Sequence, residues 1–312
     1  PVPHMKNKHS AFNLSGIRHI YPFQSHYLSI PHRIGDGFRN SLIHFVDEGT
    51  KGTPILFLHG NPTWSFAFRN LIIGLRGEHR CIAPDHLGCG LSERPQGVVH
   101  RLADRSHLIL QLLDALKIDK VSLFTHDWGG AIGMKFAVDH PDRIERIVLT
   151  NTAAFPSEKI SWRINLCRQP IIGRCINQHF NGFLGAALFM ATTRRLAADV
   201  KQGYLLPYRR NRDRLAIHQF VRDIPMHPEH PSYPALASIP ENLDKLRDKP
   251  TCVIWGMQDF CFTPFFLERW RELIPHASFH ELPDAGHFLF EDAGPECLSI
   301  LQSFFTDPAS KA

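Results

Sequence analysis

Asp127 stands in Thr125-His126-Asp127-Trp128-Gly129, between an apolar run and a glycine-rich stretch. Small residues two places to either side allow a sharp turn that holds the middle side chain at its apex. A carboxylate there is a ready nucleophile: with a reference pKa near ~3.9 it is ionised at neutral pH, whereas a serine would first have to lose a proton. Later proton transfer then falls to another group. His287, in Asp284-Ala285-Gly286-His287-Phe288, supplies a base, and Asp259, after Gly256-Met257-Gln258, an acid to orient it. Such an acid fixes the imidazole and stabilises its cationic form.

Asn61 and Trp128 add hydrogen-bond donors. The backbone N–H groups of Asn61 and of Trp128, the residue after the nucleophile, are placed to hold an oxyanion. Their side chains offer an amide and an indole N–H, neither of which acts as a base. Two neutral donors beside a carboxylate suit a leaving anion that needs hydrogen bonds and no proton, such as a halide. The structural alternative makes Trp128 a core residue and Asn61 a turn residue before Pro62.

The elements that would carry these residues follow from hydrophobic periodicity. Residues 26–30 and 42–47 read as two opening antiparallel strands. Ile55-Leu56-Phe57-Leu58 is a continuous apolar run, as expected of a strand covered on both faces, and it ends at His59-Gly60-Asn61-Pro62-Thr63-Trp64. Further strands are expected at 81–84, 121–125, 144–150, 251–255 and 278–282, and helices at 66–75, 103–116, 130–139, 265–273 and 296–305. Alternating strand and helix argues for an eight-stranded, mostly parallel sheet with helices on both faces. From 155 to 240 the apolar spacing is helical throughout, giving an expected division into a core part at 1–154, a helical cap at 155–240 and a second core part at 241–312. Ligands of open α/β sheets bind beyond the carboxyl ends of the strands, where Asp127, Asp259 and His287 all fall. Any one of twenty histidines or a lone Asp after a strand is uninformative; the joint placement points to catalysis.

Composition limits the rest. At 312 residues with 43% hydrophobic content, the chain can bury a large core. The net charge of +5 is small, and the tight pairs Arg194-Arg195 and Arg209-Arg210 read as a solvated face rather than a nucleic-acid or membrane patch. Seven cysteines without a C-x-x-C pair suit a reducing compartment, and no metal or cofactor is expected. Asp85-His86-Leu87-Gly88-Cys89-Gly90-Leu91-Ser92 lacks both G-x-G-x-x-G and the lysine of a P-loop, so it reads as a connection. No apolar run reaches a membrane span. Pro1-Val2-Pro3-His4-Met5-Lys6 lacks the apolar core of a signal peptide, Met5 reads as a natural first residue, and a cytoplasmic setting is expected.

The strand-turn-helix around Asp127 resembles the nucleophile elbow of α/β-hydrolases, with the chain order nucleophile, acid, histidine. His59-Gly60-Asn61-Pro62-Thr63-Trp64, His126-Asp127-Trp128-Gly129-Gly130, Gly256-Met257-Gln258-Asp259 and Asp284-Ala285-Gly286-His287-Phe288 resemble the haloalkane dehalogenases over essentially the whole chain outside the cap. Asp259 as the acid, Asn151 at the alternative acid position, and Asn61 with Trp128 as the halide pair are similar to that family's third subfamily. The resemblance implies hydrolysis of haloalkanes to an alcohol, halide and proton through an ester of Asp127. It implies an apolar halogenated substrate and a halide ion as ligands, with no nucleic-acid partner and with a homo-oligomer compatible. The chain is also similar to bacterial β-lactone decarboxylases of olefin biosynthesis, with the same aspartate, and Phe260-Cys261-Phe262 is compatible with either group. Epoxide hydrolases are a more distant resemblance and would need two cap tyrosines, for which Tyr204, Tyr208 and Tyr233 are present. Fluoroacetate dehalogenases carry an arginine where His86 follows Asp85. A binding protein without turnover would commonly have lost part of the Asp127, Asp259 and His287 set. Phe180, Phe183, Leu184, Phe189 and Met190 are expected cap contributors to the pocket.

Overall fold

The computed structural model describes residues 12–98 and 101–306. Eight strands form one sheet in the order β1-β2-β4-β3-β5-β6-β7-β8. They are β1 (His26–Ile34), β2 (Gly37–Glu48), β3 (Ile55–Leu58), β4 (Cys81–Pro84), β5 (Val121–His126), β6 (Ile144–Thr150), β7 (Thr251–Gly256) and β8 (Ser278–Leu282). β2 runs antiparallel to both β1 and β4, and every later pairing is parallel. This is the mostly parallel sheet expected from the alternating pattern, in the α/β-hydrolase architecture that the resemblance implies.

The central strands owe their form to burial on both faces: β3, β5 and β7 have no exposed residue. The opening hairpin is longer than its apolar pattern suggests. Residues 37–40 are exposed and show no hydrophobic alternation, yet they pair with β1 from Ile34↔Gly37 onward. Gly35, at φ +53°, makes the tight turn that allows this.

Helices α1 (Arg69–Leu75), α2 (Leu102–Ala115) and α3 (Trp128–Asp139) cross between the first parallel strands. Between β6 and β7 the described chain is helical, with α4 (Trp162–Arg168), α5 (Ile172–Arg174), α6 (Gly182–Met190), α7 (Ala198–Leu205), α8 (Leu215–Arg222) and α9 (Tyr233–Glu241). Then follow α10 (Pro264–Leu273), α11 (Leu289–Asp292) and α12 (Gly294–Thr306). One core lies under α2, α3 and α10, around Leu123, Ile132, Trp255 and Trp270. The other lies under α1 and α12, around Phe57, Phe68, Phe124 and Leu301.

Specific polar contacts tie the inserted helices to the loops that carry the site. The Trp64 indole donates to the Gly203 carbonyl at 3.2 Å. Tyr204 donates to Glu291 at 2.6 Å, and Glu291 also takes both ends of the Arg69 guanidinium at 2.6 and 2.9 Å. Tyr208 accepts from the Gly90 N–H at 3.0 Å and donates to the Thr63 carbonyl at 3.3 Å. Removing one partner from the Arg69–Glu291 pair would leave a buried charge uncompensated, so this tie is costly to break.

Candidate active site

Asp127 is the residue between β5 and α3, with φ +53° and ψ −127°. A non-glycine residue in that region is strained, and the surroundings hold it there. Its N–H reaches the Asn151 carbonyl at 3.2 Å, and its carbonyl accepts from Gly130 N–H at 2.9 Å and from Thr152 Oγ1 at 2.6 Å. Close approach also demands glycine nearby. A Cβ on Gly60 would overlap the Asp127 carboxylate, and one on Gly129 would overlap the Leu58 carbonyl. The small residues of both motifs are therefore steric requirements of one carboxylate's position.

The Asp127 carboxylate accepts the Asn61 backbone N–H at 2.6 Å and also the backbone N–H of Trp128. Burial raises its pKa above the ordinary value, opposed by the His287 charge and by those two N–H donors. His287 lies on the other side, with Nε2 3.7 Å from Asp127 Oδ2. Its Nδ1 is 2.7 Å from Asp259 Oδ2. Burial alone would lower the imidazole pKa, but the charge and hydrogen bond of Asp259 together with the charge of Asp127 outweigh it and raise the value.

Asp259 is fully bonded. Oδ1 accepts the Cys261 N–H at 2.6 Å, and Oδ2 accepts Asn151 Nδ2 at 2.9 Å as well as His287. From sequence, Asn151 is only a residue unable to serve as the acid. The structure gives it a positive role. Its side-chain amide accepts the Gly256 N–H at 2.8 Å and donates to the Gly256 carbonyl at 3.0 Å, which clamps the end of β7 while Nδ2 positions Asp259. A buried amide one strand away from an acid is the only sequence signal for such a role, and it is too common to stand out. His126 adds a further brace, its Nε2 meeting the His287 carbonyl at 2.9 Å.

The two side-chain donors differ. Asn61 Nδ2 donates to the Ile217 carbonyl at 3.1 Å, which anchors the amide to α8 with one hydrogen and leaves the second available. The Trp128 indole packs against Phe220 with ring centroids 5.5 Å apart, and among the described residues its N–H has no acceptor. Both residues line the same pocket as Asp127 and His287. The structure thus brings all five sequence candidates, Asp127, His287, Asp259, Asn61 and Trp128, to one place.

That pocket holds about 140 Å³, and its walls are mainly apolar, from Phe155, Ile160, Ile164, Val221, Ile224 and Leu236. A larger cleft of about 920 Å³ near Arg94 and Arg209 contains none of the five. The expected cap contributors are corrected in part. Phe183 lines the pocket, Leu184 is fully buried in the core, and Phe180 and Phe189 face outward at 81% and 78% exposure. Met190 does not line it. Tyr204 and Tyr208 are buried and committed to Glu291 and to the Gly90 and Thr63 backbone, and neither they nor Tyr233 line the pocket. The pair of tyrosine donors required by an epoxide hydrolase is therefore not offered to Asp127.

The arrangement can deliver a buried carboxylate to an apolar electrophile, hold a departing anion on neutral N–H donors, and activate a water through a carboxylate-paired imidazole. Among the described residues no cluster of three or more metal-ligating side chains occurs. No described helix is long and apolar enough to cross a membrane.

Comparison with known proteins identifies the family and the fold. The profile of the alpha/beta hydrolase fold family matches residues 53–294. A cis-3-alkyl-4-alkyloxetan-2-one decarboxylase of Shewanella oneidensis is 37% identical over 301 residues, covering 94% of this chain and 92% of that protein. Haloalkane dehalogenase 2 of Mycobacterium tuberculosis is 36% identical over 278 residues, covering 88% and 92%. The crystal structure of the haloalkane dehalogenase DatA from Agrobacterium tumefaciens superposes with a TM-score of 0.76 at 26% identity, over 90% of this chain and 96% of that one.

Proposed function

Since the chain belongs to the α/β-hydrolase fold family, we propose that it is an enzyme in which Asp127 attacks the carbon of an apolar electrophile, hydrolysing haloalkanes to an alcohol, halide and a proton. The observation that carries this reading is the pairing of a buried carboxylate with an indole N–H that has no acceptor among the described residues, in an apolar pocket.

In the first step an Asp127 oxygen displaces halide in line from an sp3 carbon. Carbon–oxygen bond formation and carbon–halogen bond cleavage leave an alkyl ester and a halide ion, which takes hydrogen bonds from the Trp128 indole and the free Asn61 amide hydrogen. Fixed dipoles of this kind stabilise charge as it develops without reorganising. In the second step His287 takes a proton from water, and the resulting hydroxide adds to the ester carbonyl. The backbone N–H groups of Asn61 and Trp128, already directed at the Asp127 carboxylate, hold the oxyanion. Collapse releases the alcohol and restores Asp127, and His287 gives up its proton. Ester formation also removes the Asp127 charge, one of the groups that raise the His287 pKa, which shifts the imidazole toward its free-base form as that role begins.

A second reading has its own support: ring opening and decarboxylation of a cis-3,4-dialkyl β-lactone to an alkene and carbon dioxide, without consumption of water. Relatives named for that reaction match 94% and 83% of the chain, and the mainly apolar lining of the pocket, drawn from segments 155–164, 183–191, 221–236 and 260–266, suits alkyl substituents. A paired assay tests both readings: bromide release from 1-bromobutane and 1,2-dibromoethane beside alkene formation from a dialkyl β-lactone, each repeated with Asp127→Ala. Asp127-dependent bromide release with little lactone turnover supports the first reading. Rapid lactone turnover with trace bromide replaces it with the second, and neither activity refutes both.

A further inference from the structure

The inserted helices α4 to α6 have two unlike faces. The inner one lines the pocket through Ile164 of α4 and Phe183 and Ala187 of α6. The outer one carries large apolar side chains in the open: Trp162 at 67% exposure, Ile171 at 79%, Phe180 at 81% and Phe189 at 78%. Isolated exposed apolar residues are ordinary, but this concentration of large ones over one short segment calls for a partner.

The charge of the same segment selects among partners. From 159 to 198 the sequence contains no Asp or Glu, yet it contains Lys159, Arg163, Arg168, Arg174, Arg194 and Arg195. The described side-chain contacts of these cations are with neutral groups, while the Arg194 backbone N–H donates to Asp292 at 3.2 Å and Lys159 also lines the pocket. Arg163 lies over the Trp162 ring at 4.8 Å and Lys159 over the Phe265 ring at 4.0 Å. Arg168 reaches Asn165 and the Ile224 carbonyl, and Arg174 reaches Gln178. The Arg194-Arg195 pair, on sequence alone a solvated face, thus closes a cationic stretch of sequence interleaved with exposed aromatic and aliphatic side chains. A second copy of the chain docking through the same face would bring the same positive charge against it. An anionic bilayer offers what both components require, phosphate for the arginines and an interfacial zone for Trp and Phe.

We propose that the outer face of the 159–195 segment docks on an anionic lipid surface, so that the pocket beneath it takes water-insoluble substrate from the bilayer. The docking surface stands on the residues above; the delivery role rests on the apolar-substrate reading of the Asp127 site. No described helix is long enough and apolar enough to span the bilayer. Binding is peripheral, through side chains entering the interface from α4, from residues 171 and 180 and from the end of α6.

The full chain is tested by co-sedimentation with vesicles of phosphatidylcholine, with and without about 30 mol% phosphatidylglycerol, at low and high salt. Expected is association with the anionic vesicles at least about tenfold stronger than with neutral ones, reversed by salt. Trp162 is the one tryptophan of five with an exposed side chain, so binding should shift emission to the blue, and the shift should vanish in Trp162→Ser. The double variants Trp162→Ser/Phe180→Ser and Arg163→Glu/Arg195→Glu should each lose vesicle binding. Turnover of dissolved 1,2-dibromoethane should be unchanged in both, because none of these four residues lines the pocket. Vesicle binding is read without turnover, so failure of the catalytic reading leaves the docking result interpretable. Absence of vesicle association, or association undiminished in both variants, would overturn the proposal. So would self-association abolished by the same substitutions without vesicle binding, which would assign the face to a second copy.

Discussion

The His287 imidazole faces the Asp127 carboxylate across 3.7 Å from Nε2 to Oδ2, while its other nitrogen is held 2.7 Å from Asp259. The first distance is beyond a hydrogen bond, so the nucleophile is not tied to the base. The gap is where an attacking water would have to reach once Asp127 is esterified. This separation of roles leads to a direct expectation. His287→Phe should form the Asp127 ester and then stall, with steady-state turnover reduced about 10²–10⁴-fold. Mass spectrometry of the variant after exposure to haloalkane should find one alkyl adduct on the peptide containing Asp127. A folded, substrate-binding variant with no adduct would sink the two-step scheme.

The pH dependence follows from the raised imidazole value. Burial lowers it, but Asp259 and Asp127 more than offset burial. A histidine whose folded value exceeds its unfolded value contributes stability that is present below the unfolded pKa and lost as pH rises through the folded one. Ester formation removes the Asp127 contribution. The acid limb of single-turnover ester hydrolysis should therefore lie at lower pH than the titration of His287 in the free enzyme, followed by NMR. Coincident values would mean that Asp127 does not tune the base.

Asn151→Ala should reach the site through Asp259 without touching substrate. It deletes three buried hydrogen bonds, two to Gly256 and one to Asp259, at about 2–3 kcal/mol of stability. Because Asp259 loses a fixed donor, ester hydrolysis should slow more than ester formation, and the pH profile of the hydrolytic step should move. Equal slowing of both steps, with an unmoved profile, would reduce Asn151 to a structural tie.

Trp128→Phe should separate the leaving-group donor from packing, since a phenyl ring keeps the contact with Phe220 and removes the N–H. Loss of one preorganised donor of this kind typically slows the step it serves about 10²–10³-fold. Pre-steady-state halide release should fall by that order while hydrolysis of a preformed ester is little affected. Unchanged halide release would leave Asn61 alone in the role.

The double variant Tyr204→Phe/Tyr208→Phe should retain turnover and lose stability, because both hydroxyls bond the frame that joins the inserted helices to the core. About 1 kcal/mol per deleted bond is expected in denaturant unfolding. A collapse of kcat with unchanged stability would return these tyrosines to the chemistry and revive the epoxide reading.

Much of the site was legible in the sequence because its constraints are local. An aspartate flanked by small residues, placed where an apolar run meets Gly129-Gly130, identifies a turn whose close packing admits few alternatives, and Gly60 must be small because Asp127 occupies the space beside it. Alternation of strand and helix likewise determined the sheet and the ends at which Asp259 and His287 emerge. The pocket walls were not legible. Phe183, Leu184 and Phe189 lie in α6 and Phe180 just before it, yet only Phe183 meets the pocket, Leu184 is core and the other two face outward. Periodicity assigns residues to the faces of a helix, but which face meets the pocket depends on how that helix packs against the others. The same holds for Asn151 and the tyrosines, whose partners lie 105 residues away at Gly256, 87 at Glu291 and 145 at Thr63. Contacts at that separation are set when β6 pairs with β7 and when the inserted helices dock on the sheet, and only the tertiary structure decides them.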